Sequence, residues 1–254
     1  MLDRKIKLLS RVSFNKYKRR KNIFNNFIKH LFFGKGIQER KIVFGKARGI
    51  KMYIDSAFKI QRIIGAEERE IQNIFVELAK KCSCFFDVGA SDGYYSLLYK
   101  KYNFSGEVYL FETDEKFREV QKEHFAMNNI HEGFHQCFKF VSGINDDSHI
   151  SLDRFDINGK ALFKIDVEGA ERWVLEGMKS LLQNYYCYLI IETHSEQLEK
   201  DCINFLQENK YQTLIIKNAW WRLILGERRP LKQNRWLVAY KEPDLHINSS
   251  KIHL

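Results

Sequence analysis

The chain has 254 residues, 44% of them hydrophobic, and a formal net charge of +10. That is enough apolar material for a sizeable core, and no apolar run reaches the roughly 18 residues a transmembrane helix needs. Five cysteines (Cys82, Cys84, Cys137, Cys187 and Cys202) at irregular spacing argue against a disulfide framework and suit a reducing cytosol. Cys82 and Cys84 have no second pair to complete a zinc site.

The charge is uneven. Residues 1–51 carry sixteen Lys or Arg against two acids, +14, and the remainder sums to −4. Basicity therefore belongs to an N-terminal arm and not to the rest of the chain. From Lys21 to Phe33 the apolar residues Ile23, Phe24, Phe27, Ile28, Leu31 and Phe32 fall on one helical face. A basic amphipathic helix of this kind suits an anionic membrane surface. Packing of the same face on the core or on a second copy, as a homo-oligomer, is the plainer alternative. The apolar residues are not contiguous and no small-residue cleavage site follows, which argues against a signal peptide.

Two strands, Lys41–Phe44 and Ile50–Ile54, are predicted around a Gly45–Gly49 turn, then a helix over Ala66–Lys81. Next comes Phe85-Phe86-Asp87-Val88-Gly89-Ala90-Ser91-Asp92-Gly93-Tyr94-Tyr95. It reads as a strand covered on both faces, a glycine turn and the start of a helix running to Tyr102. Gly89 and Gly93 let backbone approach a ligand, and the helix start presents free N–H groups to it. Such a turn at the carboxyl end of a parallel sheet binds nucleotide-like cofactors.

A second strand, Val108–Phe111, ends in Glu112, 25 residues after Asp87. An acid at this place accepts hydrogen bonds from ribose hydroxyls. Asp114 is the expected N-cap of a helix to about Met127. A third strand, Phe134–Val141, ends at Ser142-Gly143, and Ser148–Phe155 is a short edge element. The fourth strand, Ala161–Val167, leads into a helix carrying Ala170, Trp173, Val174, Gly177, Met178 and Leu181 at helical spacing. Tyr188–Ile191 is the fifth strand and Glu196–Asn209 a helix. Tyr211–Ile216 and Trp236–Tyr240 close the chain as a hairpin around Trp220-Trp221. Alternating strands and helices give an α/β fold: a seven-stranded, mostly parallel sheet with one antiparallel strand.

Asp166 and Glu168 leave the fourth strand, and Glu192 and His194 leave the fifth, each pair spaced by two and so able to face one side. Three readings fit. A carboxylate or His194 can take a proton from a hydroxyl or bind substrate. Asp166, Glu192 and His194 can hold a divalent cation such as Mg or Mn. Or Glu168 and Glu171 form a structural network at the positive end of the following helix.

The segments Phe85–Tyr95, Val108–Asp114 (VYLFETD), Ile150–Phe155 (ISLDRF), Leu162–Gly177 (LFKIDVEGAERWVLEG) and Ile190–His194 (IETH) resemble the FkbM family of S-adenosylmethionine-dependent methyltransferases. The Lys164–Glu171 run is the most specific piece. The resemblance spans roughly residues 41–241, which divides the chain into a basic amphipathic extension, 1–40, and an FkbM-type methyltransferase domain, 41–254. It implies a Rossmann-like class I methyltransferase fold and methylation of hydroxyl groups, mostly of sugars and natural products. By the same resemblance Asp87, Gly89, Ala90, Ser91 and Gly93 cradle the methionine part of S-adenosylmethionine. Glu112 with Thr113 holds the ribose, Ser142 lies near the adenine, and Asp166, Glu168, Glu192 and His194 face the transferred methyl group. Two departures stand out: Ser91-Asp92 replaces a more usual Asn and neutral residue, and the segment from Phe134 to Ile150 is short.

The expected acceptor is a sugar or glycan, and the expected location is the cytoplasm, peripheral to the inner membrane face. Three rivals are weaker. A nucleic-acid base methyltransferase would carry an Asn/Asp-Pro-Pro-aromatic or Pro-Cys motif, yet the prolines are only Pro230 and Pro243. The −4 remainder offers no broad basic groove, so nucleic acid is disfavoured and ribose methylation of RNA stays as an alternative. A nicotinamide enzyme would want the closer Gly-x-Gly-x-x-Gly turn. A non-catalytic module that merely keeps the fold is at odds with complete Asp87, Glu112 and Asp166 positions.

Overall fold

The computed structural model describes residues 36–56, 59–218 and 234–241. In chain order the elements are β1 (Ile37–Lys41), β2 (Lys51–Asp55), α1 (Ile60–Ile63), α2 (Arg69–Ala79), β3 (Cys84–Val88), α3 (Tyr94–Tyr102), β4 (Glu107–Phe111), α4 (Phe117–Met127), β5 (Phe134–Cys137), β6 (Phe140–Val141), β7 (His149–Ile150), a 3-10 turn (Leu152–Arg154), β8 (Lys160–Ile165), α5 (Glu171–Glu176), α6 (Lys179–Asn184), β9 (Tyr186–Thr193), α7 (Glu196–Glu208), β10 (Gln212–Ile216) and β11 (Arg235–Tyr240). They fall into two compact units. One comprises the chain up to Arg69 with Lys116–His131, and the other comprises Glu70–Glu115 with the chain from Glu132 onward.

In the first unit β1 and β2 pair antiparallel, with Ile37 opposite Asp55 and Lys41 opposite Lys51. The α4 helix is fixed to β2 through polar groups. His124 Nε2 accepts the Tyr53 N–H at 3.0 Å, and the Asn128 side chain bonds both the N–H and the C=O of Lys51, at 2.9 and 2.8 Å.

The second unit contains a seven-stranded sheet in the order β10-β11-β9-β8-β3-β4-β5. Only β11 runs against the rest, pairing antiparallel with both β9 and β10. This is the expected class I methyltransferase arrangement with one antiparallel strand. Every residue of β3 is buried, Asp87 included, as a strand covered on both faces requires. On one face Phe86 stacks on Phe163 and Tyr109, with ring centroids 4.6 and 4.8 Å apart, and meets Phe155 edge-on. The chain order reverses between β3 and β8, so their carboxyl ends open a crevice there, the usual place for a ligand.

Several predicted elements are corrected. The first strand is Ile37–Lys41, not Lys41–Phe44: the Val43 N–H bonds the Ile63 carbonyl instead of continuing the hairpin, and Phe44 is 63% exposed. The helix over Ala66–Lys81 begins only at Arg69, because Gly65 and Glu68 hold positive φ (69° and 47°) and break the right-handed path. Asp114 is not a cap: the helix begins at Phe117 with Lys116 in the capping position. The third strand is two pieces. β5 ends at Cys137, and β6 leaves the sheet to pair with β7, Phe140 opposite His149. The helix after Gly169 is interrupted between α5 and α6 at Gly177. There the backbone lies so close to the Ser142 carbonyl that a Cβ would stand 2.2 Å from its oxygen. The basic helix at residues 21–33 and the Trp220-Trp221 turn lie outside the described residues.

Candidate active site

The glycine turn at the end of β3 is held by backbone. The N–H groups of Gly89 and Ala90 share the Phe111 carbonyl, at 2.9 and 3.0 Å, which ties the turn to the end of β4. Gly89 has φ +82°, and a Cβ there would meet the Asp166 carbonyl oxygen at 1.9 Å. Glycine is therefore required by the close approach of the β8 end, as well as by φ. Gly93, also at φ +82°, turns the chain into α3. Between them Ser91 adopts φ +48°, a conformation that Gly or Asn takes more readily.

Glu112 bridges the loops. Its Oε2 accepts the Ser91 N–H at 2.9 Å, and its Oε1 accepts the N–H groups of Thr113 and Asp114 at 2.8 and 3.1 Å. A carboxylate oxygen has two lone-pair directions, so Oε2 can still accept a hydroxyl. Thr113 is exposed and contributes its backbone N–H.

Asp87 is placed differently from the other cradle residues. It is 1% exposed, and its Oδ2 accepts the Ser96 hydroxyl at 2.7 Å. Burial pushes its pKa up from the ordinary 3.8 to about 6, against the opposing pull of Lys164 and of Ser96. Its side chain braces the turn against α3. Ser142 is buried as well, its Oγ accepting the Ile144 N–H at 3.3 Å within its own loop.

The structure brings Asp166, Glu192 and His194 together. Ile165 pairs with Ile191 across β8 and β9, which sets Asp166 level with Glu192. One ligand-capable atom from each of the three lies within 4.8 Å of the others. His194 Nε2 is 3.7 Å from Asp166 Oδ1 and 4.0 Å from Glu192 Oε1, both beyond hydrogen-bond range. Glu168 is exposed, holds φ +49°, and acts on His194 through its charge.

Partners that spacing alone did not assign complete the cluster. Glu171, fully buried, accepts from His194 Nδ1 at 2.5 Å and from the Gly169 N–H at 3.0 Å through the same Oε1. Lys164, also buried, places Nζ 3.3 Å from Asp166 Oδ2, with its ammonium 4.8 and 5.4 Å from the ring centres of Tyr95 and Trp236. Asn234 Nδ2 reaches Glu192 Oε1 at 3.4 Å. Lys164 and Glu171 sit inside the most specific sequence run, which was the one available signal for them. Burial lowers the His194 pKa, but the Glu171 bond and the charges of Glu171, Asp166 and Glu168 outweigh it, and the net direction is up.

The residues suit S-adenosylmethionine: a glycine-lined turn closed to any Cβ, a half-buried carboxylate with a free lone pair, and an acid–histidine cluster next to the turn. Residues 141–213 match the family model described as the methyltransferase FkbM domain. The chain is similar in structure to a methyltransferase FkbM from Methylobacillus flagellatus KT, at 16% identity and TM-score 0.52, covering 63% of this chain and 44% of that one. The chain thus spans less than half the length of that protein. Also similar are a precorrin-6y C5,15-methyltransferase from Geobacter metallireducens GS-15 (12% identity, TM-score 0.49, 70% of this chain and 91% of that one) and an SAM-dependent O-methyltransferase from Thermotoga maritima (14%, 0.49, 84% and 80%). At such identities the likeness is one of fold. No curated protein sequence matches the chain. Residues 141–213 thus match the methyltransferase FkbM domain, and the chain shares its fold with a methyltransferase FkbM structure.

Proposed function

We propose that the protein is an S-adenosylmethionine-dependent O-methyltransferase whose acceptor is a sugar hydroxyl in a glycan or glycolipid. The observation that carries this reading is the convergence of Asp166, Glu192 and His194 beside the Gly89 turn. The cofactor, when bound, supplies an already activated methyl group. Gly89, Ala90, Ser91 and Gly93 would shape its cradle, Glu112 would take the ribose, and Thr113 and Ser142 would flank it. What the chain must add is alignment and activation of a poor nucleophile. A hydroxyl docked on the cluster would donate its proton to Asp166 or to His194 Nε2, whose acceptor atoms stand 3.7 Å apart. Glu171 orients the imidazole from behind, and Lys164 pairs with Asp166 from the strand. Glu168 adds negative charge at the mouth.

The sugar acceptor rests on the FkbM resemblance, and location at the inner face of a membrane rests on the basic, amphipathic spacing of residues 1–33. Transfer of labelled methyl from S-adenosylmethionine to isolated cell-surface glycans and lipid-linked sugars, with RNA in parallel, tests the reading. Transfer to glycan that falls at least a hundredfold in Asp166→Asn, with S-adenosylhomocysteine binding retained, is expected. Transfer to RNA alone would overturn it.

A further inference from the structure

We propose that Asp166, Glu192 and His194 form a binding site for one divalent cation of the Mg or Mn type. The strand register delivers the three ligands: β8 and β9 are parallel neighbours, and their carboxyl ends bring one oxygen from each acid and one imidazole nitrogen within 4.8 Å of one another. The separations of 3.7 and 4.0 Å from Nε2 to the two carboxylates are too long for hydrogen bonds. They match donors arranged around an ion. Ligands each about 2.1 Å from such a cation stand roughly 3 to 4.2 Å apart.

The surroundings point the same way. Glu171, fully buried, takes Nδ1 of His194 and so leaves Nε2 as the ring atom turned to the cluster. A carboxylate bound to the far nitrogen is the usual support of a metal-ligating histidine. An independent sign comes from Asn234. It is 5% exposed, its amide is directed at Glu192 Oε1, and among the described residues its Oδ1 has no hydrogen-bond partner. The nitrogen and oxygen of an amide exchange places by a flip, which would turn a neutral oxygen ligand toward the same point.

Charge agrees. Asp166, Glu192 and Glu171 bring three carboxylates and Glu168 a fourth charge nearby, with one ammonium, Lys164, set on Asp166 Oδ2. The cluster is therefore net negative, as a cation site requires. Three protein ligands leave open positions for water or substrate oxygens. The chemical use of the ion rests on the O-methyl reading: it would chelate two neighbouring hydroxyls of a sugar and lower the pKa of one.

The test uses the full chain, stripped with EDTA and titrated with Mn(II) by calorimetry and by electron paramagnetic resonance. One bound equivalent is expected. Asp166→Asn and His194→Gln should each weaken it at least tenfold with the circular dichroism spectrum unchanged, and Glu176→Gln, an exposed acid on α5, should not. No binding at millimolar Mn(II), or binding indifferent to both ligand substitutions, overturns the site. The two readings fail separately. Mn(II) bound as expected with no methyl transfer to any sugar sinks the functional reading and leaves the site. Methyl transfer that persists in EDTA with no Mn(II) uptake sinks the site and leaves the function.

Discussion

His194 Nδ1 and Glu171 Oε1 lie 2.5 Å apart, joining the end of β9 to the first turn of α5 across 23 residues of sequence. The acid is fully buried, and among the described residues its other oxygen, Oε2, has no hydrogen-bond partner. A buried carboxylate in that state is costly unless its one partner is well placed. The pair therefore fixes which face of the imidazole meets Asp166 and Glu192.

Replacing Glu171 by Gln keeps the shape and removes the charge. Methyl transfer should fall about ten- to hundredfold, the cost seen when the support of a functional histidine is lost. Because both residues act as one unit, adding His194→Ala to Glu171→Gln should cost much less than the two single effects combined. A double-mutant cycle on initial rates checks this. Full additivity would show that the two side chains work independently.

Glu112 accepts three backbone N–H groups while keeping a lone pair on Oε2. In Glu112→Gln one of those oxygens becomes an NH2 group facing N–H donors. The loops should separate slightly, and S-adenosylhomocysteine binding should weaken about tenfold or more, a change of about 1.4 kcal/mol or greater. Calorimetric titration reads it directly. Unchanged affinity would remove Glu112 from the cofactor site.

Ser91 carries its positive φ of 48° within the glycine turn after β3, and its N–H is bonded to Glu112. Ser91→Gly removes the Cβ from that conformation and leaves the N–H in place. The expected result is a gain on the order of 1 kcal/mol in the folded state, offset in part by greater freedom of the unfolded chain. Urea denaturation of both proteins measures it. A loss of stability would mean that the serine side chain makes a contact worth more than the strain.

Asp87 makes stability depend on pH with a stated sign. Its folded pKa of about 6 lies above the ordinary 3.8, so the folded protein binds the extra proton between those values. Stability from this group is fully present below about pH 4 and is lost as pH rises through 6. The shift corresponds to roughly 3 kcal/mol. In Asp87→Asn, which can still accept from Ser96, that slope should vanish. The difference between the two proteins in chemical denaturation at pH 4, 5, 6 and 7 isolates it from other titrating groups. Parallel curves would show that Asp87 is ionised at the same pH folded and unfolded.

The sheet was legible in the sequence because each of its central strands is a short apolar run closed by glycine or a polar residue. Phe85–Val88 and Ala161–Ile165 could be read this way since strands covered on both faces are mainly apolar, Asp87 and Lys164 being the single charged residue in each. The glycine turn and Glu112 were legible for a related reason: a close backbone approach and a charged strand end leave a mark on residue type. The first strand was misplaced because Ile42, Val43 and Phe44 look like a strand and Gln38, Glu39 and Arg40 do not. The ladder nonetheless runs through the polar residues, whose side chains face outward on a two-stranded hairpin.

Sequence by itself determined the fold class and the set of side chains at the carboxyl edge, since strand ends and their polar residues are local properties. Tertiary structure alone decided how those side chains divide their work. Asp87, expected in the cradle, is buried on Ser96, while Glu171, read as a helix-end charge, grips His194. Lys164 reaches Asp166 between rings supplied by α3 and β11. Such pairings depend on strand register and on which residues are shut away from water. Neither is encoded in spacing, because both are set by parts of the chain dozens of residues away.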